Sequence, residues 1–451
     1  MLNFLHFLNL SFIKDVVVFP LATGMALTIT YLTLKKNINP FGKYIIFPRI
    51  DQKTCLKAIT TAGFTPIVVE PIRYEDQLET NIKEINNILT NLEYYILSKE
   101  SPDKDDKNYE YKKIKINTIK EILCISTTTS CFAPRNYDNI IDISILCNNL
   151  NIPHIINSAY GVYCTKITDE LNHSNKKGRI DAIISSTDKN FLTPVGGSII
   201  YSKDKDIIKC ISNNYPGRAS LTPILDLFIT LLETGKNKYK ELIKERSLIY
   251  KDIFNFVNKT CKEKYNERAF ILKRNKISIA ISLENIVCNI YKSLFEYYLE
   301  LEKESSEKNI DILDNEFYIY KDITFLGSMF FNRQISGIKV VASKCNNIHY
   351  YKLYKNYIAN KKDHNNKQIN NNIANYQEPS FFQNIYFYNY SSHTNDNINL
   401  PYVVFAIAIG ISKEESEYFK IKFFKYLDEF ISIKIKQIEN IVLQFKNSKN
   451  N

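Results

Sequence analysis

Apolar and polar positions alternate in blocks along the first half of the chain. Short apolar runs at Val16–Phe19, Tyr44–Phe47, Pro66–Val69, Ile122–Ile125, His154–Asn157, Ala182–Ser185 and Ser198–Tyr201 are rich in Ile and Val, the signature of buried strands. Most are separated by amphipathic stretches long enough for a crossover helix, and parallel strands need such crossovers. The pattern therefore predicts a doubly wound α/β domain, whose ligands bind beyond the carboxyl ends of the strands. From Thr222 the character changes. A long helix is predicted through Lys264, then strands near Ile277–Leu283 and Gly337–Val341, then a Lys-rich amphipathic helix over Glu414–Lys446.

This divides the chain into residues 1–221, the large domain, and 222–451, a linking helix with a smaller α+β domain. Segments 98–117, 291–322 and 346–390 look like insertions. Tracts such as N-K-K-D-H-N-N-K-Q-I-N-N-N carry too little apolar surface to offset the entropy of ordering, so these segments are expected to loop out. Val16–Leu34 contains no charged residue over nineteen positions, enough to span a bilayer. Pro20 and Gly24 interrupt it, however, and V-V-V-F is strand-like, so strand, turn over P-L-A-T-G and helix from Met25 is the expectation, with a membrane anchor as the alternative.

Composition narrows the function. With 451 residues, 59 Lys+Arg against 48 Asp+Glu and a net charge of +11, the chain is long enough for two or three domains and tolerates an anionic partner such as RNA. Nine cysteines without a C-x-x-C pair, and six histidines without H-E-x-x-H, give no metal site and fit a reducing, cytoplasmic setting.

Candidate chemistry sits at strand ends. In I-I-S-S-T-D-K-N-F-L-T-P-V-G-G, Lys189 follows a predicted strand and precedes a Pro-Val-Gly-Gly turn, so it is expected at the crevice, partly desolvated, with its amine ready to attack an aldehyde. Taken alone it would be a salt-bridged surface lysine. Asn157 ends another strand in H-I-I-N-S-A-Y-G, where its amide can face an aromatic cofactor ring above small Ala159. Thr23, Gly24 and Met25 open a helix with free backbone N–H groups suited to a phosphate. Phosphate cradle, ring partner and lysine, in that chain order, match a fold-type I pyridoxal 5'-phosphate (PLP) enzyme.

The motifs V-V-F-P-L-A-T-G-M, K-Y-I-I-F-P-R-I-D-Q-K-T-C, T-A-G-F-T-P, S-T-T-T-S-C-F-A-P-R, N-S-A-Y-G, G-R-I-D-A, D-K-N-F-L-T-P-V-G-G, Y-P-G-R-A-S and L-G-S-M-F-F-N-R-Q-I-S-G closely resemble the O-phosphoseryl-tRNA(Sec) selenium transferase family, the archaeal and eukaryotic selenocysteine synthases. The resemblance runs from about Val16 to the C-terminal helix. It implies a fold-type I transferase in which Lys189 holds PLP as a Schiff base and takes the proton from the substrate Cα. Phosphate then leaves Cβ, and selenophosphate supplies selenium to give selenocysteinyl-tRNA(Sec). It implies that Arg218 contacts the phosphoseryl group, that Gln52 and Lys53 line the same pocket, and that Lys176 and Arg333 meet the tRNA. A homotetramer in the cytoplasm is implied as well. Arg218 paired with a carboxylate and Lys176 as a solvated loop charge are the plainer alternatives. The sequence departs from the family pattern in two ways: it lacks the N-terminal region with its phosphate-binding loop, and Ser126 stands where the family carries a histidine. A non-catalytic tRNA-binding remnant, or a truncated gene model, is therefore the alternative expectation.

Overall fold

The computed structural model describes residues 1–50, 52–99, 109–218, 220–303, 319–342, 347–362, 380–383, 385–387 and 401–449. The apolar runs of the first half become the strands β1 (Asp15–Phe19), β2 (Tyr44–Pro48), β3 (Thr65–Val69), β4 (Ile122–Thr128), β5 (His154–Asn157), β6 (Ala182–Ser186) and β7 (Ser198–Ser202). They form one seven-stranded sheet in the order β1-β7-β6-β5-β4-β2-β3. β5 and β6 are parallel, with Ala182 opposite Ile155, and β4 and β2 continue in the same sense. Only β7 runs backwards, antiparallel to both β6 and β1. The carboxyl ends of β1, β2, β4, β5 and β6 therefore open on one edge of the sheet. β4, β5 and β6 are buried along their whole length, as strands covered by helices on both faces must be.

Val16–Leu34 divides as expected into strand, turn and helix Thr23–Asn37. Among the described residues no helix is long and apolar enough to cross a membrane. The helix expected from Thr222 is Thr222–Thr260 followed by a wider turn at Cys261–Tyr265, with non-helical backbone at Gly235 (φ 60°, ψ 175°). Glycine tolerates that left-handed φ at little steric cost.

The second half holds a three-stranded antiparallel sheet, β8 (Ser278–Ser282), β10 (Tyr402–Ala406) and β9 (Lys339–Val341), with β10 in the centre. The pattern reading missed β10, the strand that joins the other two. It also misjudged parts of the segments expected to loop out. Helix Lys292–Lys303 buries Leu294, Phe295, Tyr297, Tyr298 and Leu301, and Tyr350, Tyr351 and Tyr354 of helix Asn347–Lys362 pack into the same core. Tyrosine rings supply much of the apolar area that orders these helices. Of segment 98–117, Ser98 and Lys99 end one strand of a hairpin and Tyr109–Lys115 form the other; its tip, 100–108, lies outside the described residues, as do 304–318 and 363–379.

Candidate active site

The open edge of the large sheet bounds a cavity of about 690 Å³, a size suited to a cofactor and a small substrate group. Thr23, Gly24, Gln52, Lys53, Cys55, Asn157, Ala159 and Lys189 all line it. Each stands just beyond a strand: Thr23 after β1, Gln52 after β2, Asn157 at the end of β5, Lys189 three residues after β6. The opposite wall comes from the second half of the chain, through Ile277, Ala406, Ala408 and Ile409.

Lys189 lies in the single-turn helix Thr187–Phe191. Its Nζ is 3.4 Å from Asp188 Oδ2 and 3.5 Å from Ser186 Oγ, and its side chain is 49% exposed. The side chain is thus about half in solvent where it lines the cavity, and an ion pair this exposed restrains it little. Gly197, behind it, must be glycine, because a Cβ there would come within 2.6 Å of Thr187 Oγ1.

Asn157 is buried and fixed at both ends of its amide, accepting from Ala159 N–H (3.1 Å) and donating to Cys55 Sγ (3.1 Å). Burial pushes the Cys55 thiol up to about 12, so it stays protonated at neutral pH. The helix start offers fewer free groups to the cavity than expected. Met25 N–H turns back onto Ala22 O at 3.0 Å, and the Met25 side chain points away from the cavity, leaving Thr23 and Gly24 on its wall. Thr23 Oγ1 is buried without a hydrogen-bond partner, an orphan donor at the start of a fifteen-residue helix. A Cβ on Gly24 would run into the Thr54 methyl, so this wall admits a close approach only as glycine.

The remaining candidates lie apart. Arg218, in the exposed turn that follows Gly217 (φ 96°), does not line the cavity. Lys176 sits in the last turn of helix Thr165–Lys177 rather than in a loop, exposed and favourably placed at the negative end of the helix dipole. Arg333 pairs with Glu429 and stacks on the Tyr426 ring at 5.1 Å. Ser126 is buried against Tyr31 Oη (2.7 Å) and does not line the cavity.

Sequence reading missed the aromatic side of the cavity, Phe132, Tyr160 and Tyr163, and the thiol of Cys55. Cys55 and Phe132 stand inside quoted motifs, K-T-C and C-F-A-P, but nothing in their spacing shows which side chains turn toward the strand ends.

A mostly parallel sheet carrying a lysine, an asparagine and a helix start at one carboxyl edge defines the fold-type I architecture. Within it, a family model described as O-phosphoseryl-tRNA(Sec) selenium transferase, SepSecS, matches residues 1–101 and 94–431, and the chain belongs to that family. A Dictyostelium discoideum O-phosphoseryl-tRNA(Sec) selenium transferase is 36% identical over 416 residues, 91% of this chain and 71% of that protein. The protein of the same name from Caenorhabditis elegans is 36% identical over 283 residues, 62% of this chain and 53% of its own length. The chain thus spans between half and three quarters of these relatives. In structure it resembles archaeal O-phosphoseryl-tRNA(Sec) selenium transferase (TM-score 0.59, 22% identity, 92% of this chain and 70% of that one). Mouse CSAD in apo form shares the fold at 8% identity (TM-score 0.57, 95% and 75%).

Proposed function

We propose that the chain is a PLP-dependent transferase that converts O-phosphoseryl-tRNA(Sec) to selenocysteinyl-tRNA(Sec), with selenophosphate as the selenium donor. The observation that carries this reading is the gathering of Lys189, Asn157 and the Thr23–Gly24 helix start on one cavity. These residues fit the cofactor: the orphan Thr23 hydroxyl and the helix start would hold its phosphate, Asn157 would face its ring over Ala159, and Lys189 would carry it. Bound there, PLP supplies an electron sink for the substrate Cα. Lys189 Nζ would take the Cα proton, with Asp188 Oδ2 at 3.4 Å to stabilise the ammonium that forms. Lys53, on the cavity wall, offers positive charge to the phosphate as it departs from Cβ.

Residues 1–221 act in this reading as the PLP-binding domain and 222–451 as linker and small domain. Copies of the chain assemble, toward the homotetramer implied by the family. In support, Leu225, Phe228, Ile229 and Leu232 form an exposed apolar face on helix Thr222–Thr260, near the exposed Val195 at the cavity mouth. Arg218 lies just ahead of that face, where a neighbouring copy can turn it toward a site. Lys176 and Arg333 contact the tRNA, and the protein works in the cytoplasm.

Titration of the purified chain with PLP tests the reading. The wild type is expected to develop the visible absorbance of lysine-bound PLP and to convert phosphoseryl-tRNA(Sec), and Lys189→Ala to do neither. A wild type that takes up no PLP sinks the enzyme reading and leaves a non-catalytic tRNA-binding role.

A further inference from the structure

We propose that Cys55 is a positioning residue that ties Gln52, on the substrate side of the cavity, to Asn157, on the cofactor side. The inference rests on the PLP reading and concerns a side chain that the reaction itself does not use.

The directions of the hydrogen bonds are fixed from both ends. Gln52 stands just before helix Lys53–Thr61 and donates from Nε2 to Ser130 O at 3.1 Å, which turns its Oε1 toward the thiol, 3.9 Å away. Asn157 must offer Oδ1 to Ala159 N–H, which turns its Nδ2 toward the same sulfur at 3.1 Å. Cys55 therefore donates S–H to Gln52 and accepts from Asn157, and both amides are held in one orientation. At 5% exposed, Cys55 meets little solvent that could replace either contact.

The two links are unequal. At 3.1 Å the Asn157 contact is close for a sulfur acceptor, whereas 3.9 Å to Gln52 is long. Loss of the thiol should therefore be felt first at the cofactor. Its protonated state has a second consequence, since a neutral thiol is a poor nucleophile. Burial among Asn157, Gln52 and the start of the helix lets the cavity keep a sulfur acceptor without a competing thiolate.

The test is PLP titration of the full chain, read by absorbance and dissociation constant. Cys55→Ala should weaken PLP binding about 3- to 10-fold, the equivalent of one lost hydrogen bond, and shift the absorbance maximum. Cys55→Ser, which retains a donor and an acceptor, should remain within about threefold of wild type. In an Asn157→Ala background, Cys55→Ala should cost nothing further, because the group it orients is gone. If Cys55→Ala does not fold, Cys55→Val takes its place, with similar volume and no polar atom. Wild-type affinity and absorbance in the Ala or Val variant, or an equal loss in the Asn157→Ala background, overturns the proposal while the PLP reading stands. A wild type without PLP uptake overturns both.

Discussion

Two sets of candidate residues behave differently in the fold. Thr23, Gln52, Lys53, Asn157 and Lys189 are spread over 167 positions of sequence yet share one cavity, whereas Arg218, Lys176 and Arg333 remain outside it. The first set is carried by strands of a single sheet whose carboxyl ends coincide, so separation along the chain does not matter. The second set is carried by an exposed turn and two helix ends, none of which lines the cavity. Residues on the sheet edge are thus brought together within one chain, whereas the three cations stay off the cavity wall.

The largest test of that contrast is the support beneath the strand ends. Asp138 is fully buried, receives Arg135 (2.6 Å) and Thr80 Oγ1 (2.7 Å), and takes the Thr128 N–H at the end of β4 (2.7 Å), while Thr128 Oγ1 donates to Asn157 O. Asp138→Ala strands a buried guanidinium and should cost about 3–5 kcal/mol in urea unfolding. A variant as stable as the wild type would break the claim that the edge is rigid.

Next in size is a pH effect at the start of β5. His154 is buried between Thr127 Oγ1 and Ser144 Oγ, and burial, with a smaller contribution from the Arg179 charge, holds it down to about 4. Its neutral form is the folded one. The stability it contributes is complete above its ordinary value near 6.5 and is lost as pH falls through about 4, of the order of 3 kcal/mol in all. Unfolding free energies at pH 7, 5.5 and 4.5 check this, and His154→Gln should lack the same portion of the slope. Glu267 gives a contribution of opposite sign: burial raises it to about 7, so its share is present at low pH and lost as pH rises from about 4.5 through 7.

Arg218→Ala sharpens the comparison from the other side. PLP uptake should remain at the wild-type level, because this residue is off the cavity wall. kcat/KM for phosphoseryl-tRNA(Sec) should fall about 10- to 100-fold, the worth of a charged hydrogen bond to phosphate. If PLP binding falls with it, the separation into two sets is wrong. The smallest effect is expected at Lys176. A single exposed cation at a phosphate should weaken tRNA binding about 2- to 5-fold and lower the salt slope by roughly one, measured by filter binding at several salt concentrations.

Much of the large sheet was legible because a buried parallel strand must be apolar along its whole length, and Ile and Val runs announce it. The Lys189, Asn157 and Thr23 positions were legible for the same reason, since each follows such a run. The small domain was less so. Its core is built from Tyr291, Phe295, Tyr298, Tyr351, Phe330 and Phe423, the first four in segments expected to loop out, and its central strand β10, Y-V-V-F-A, is a short apolar run that the pattern reading missed.

The sequence by itself determined the strand runs, the breaks that end them and the residue types placed at each break, because these depend on local hydrophobicity and turn chemistry. The tertiary structure alone decided which breaks meet, that Met25 spends its amide on Ala22, that Lys189 stands half in solvent, and that the Cys55 sulfur lies against Asn157. Those outcomes depend on strand order and side-chain direction, set by packing between elements far apart in the chain.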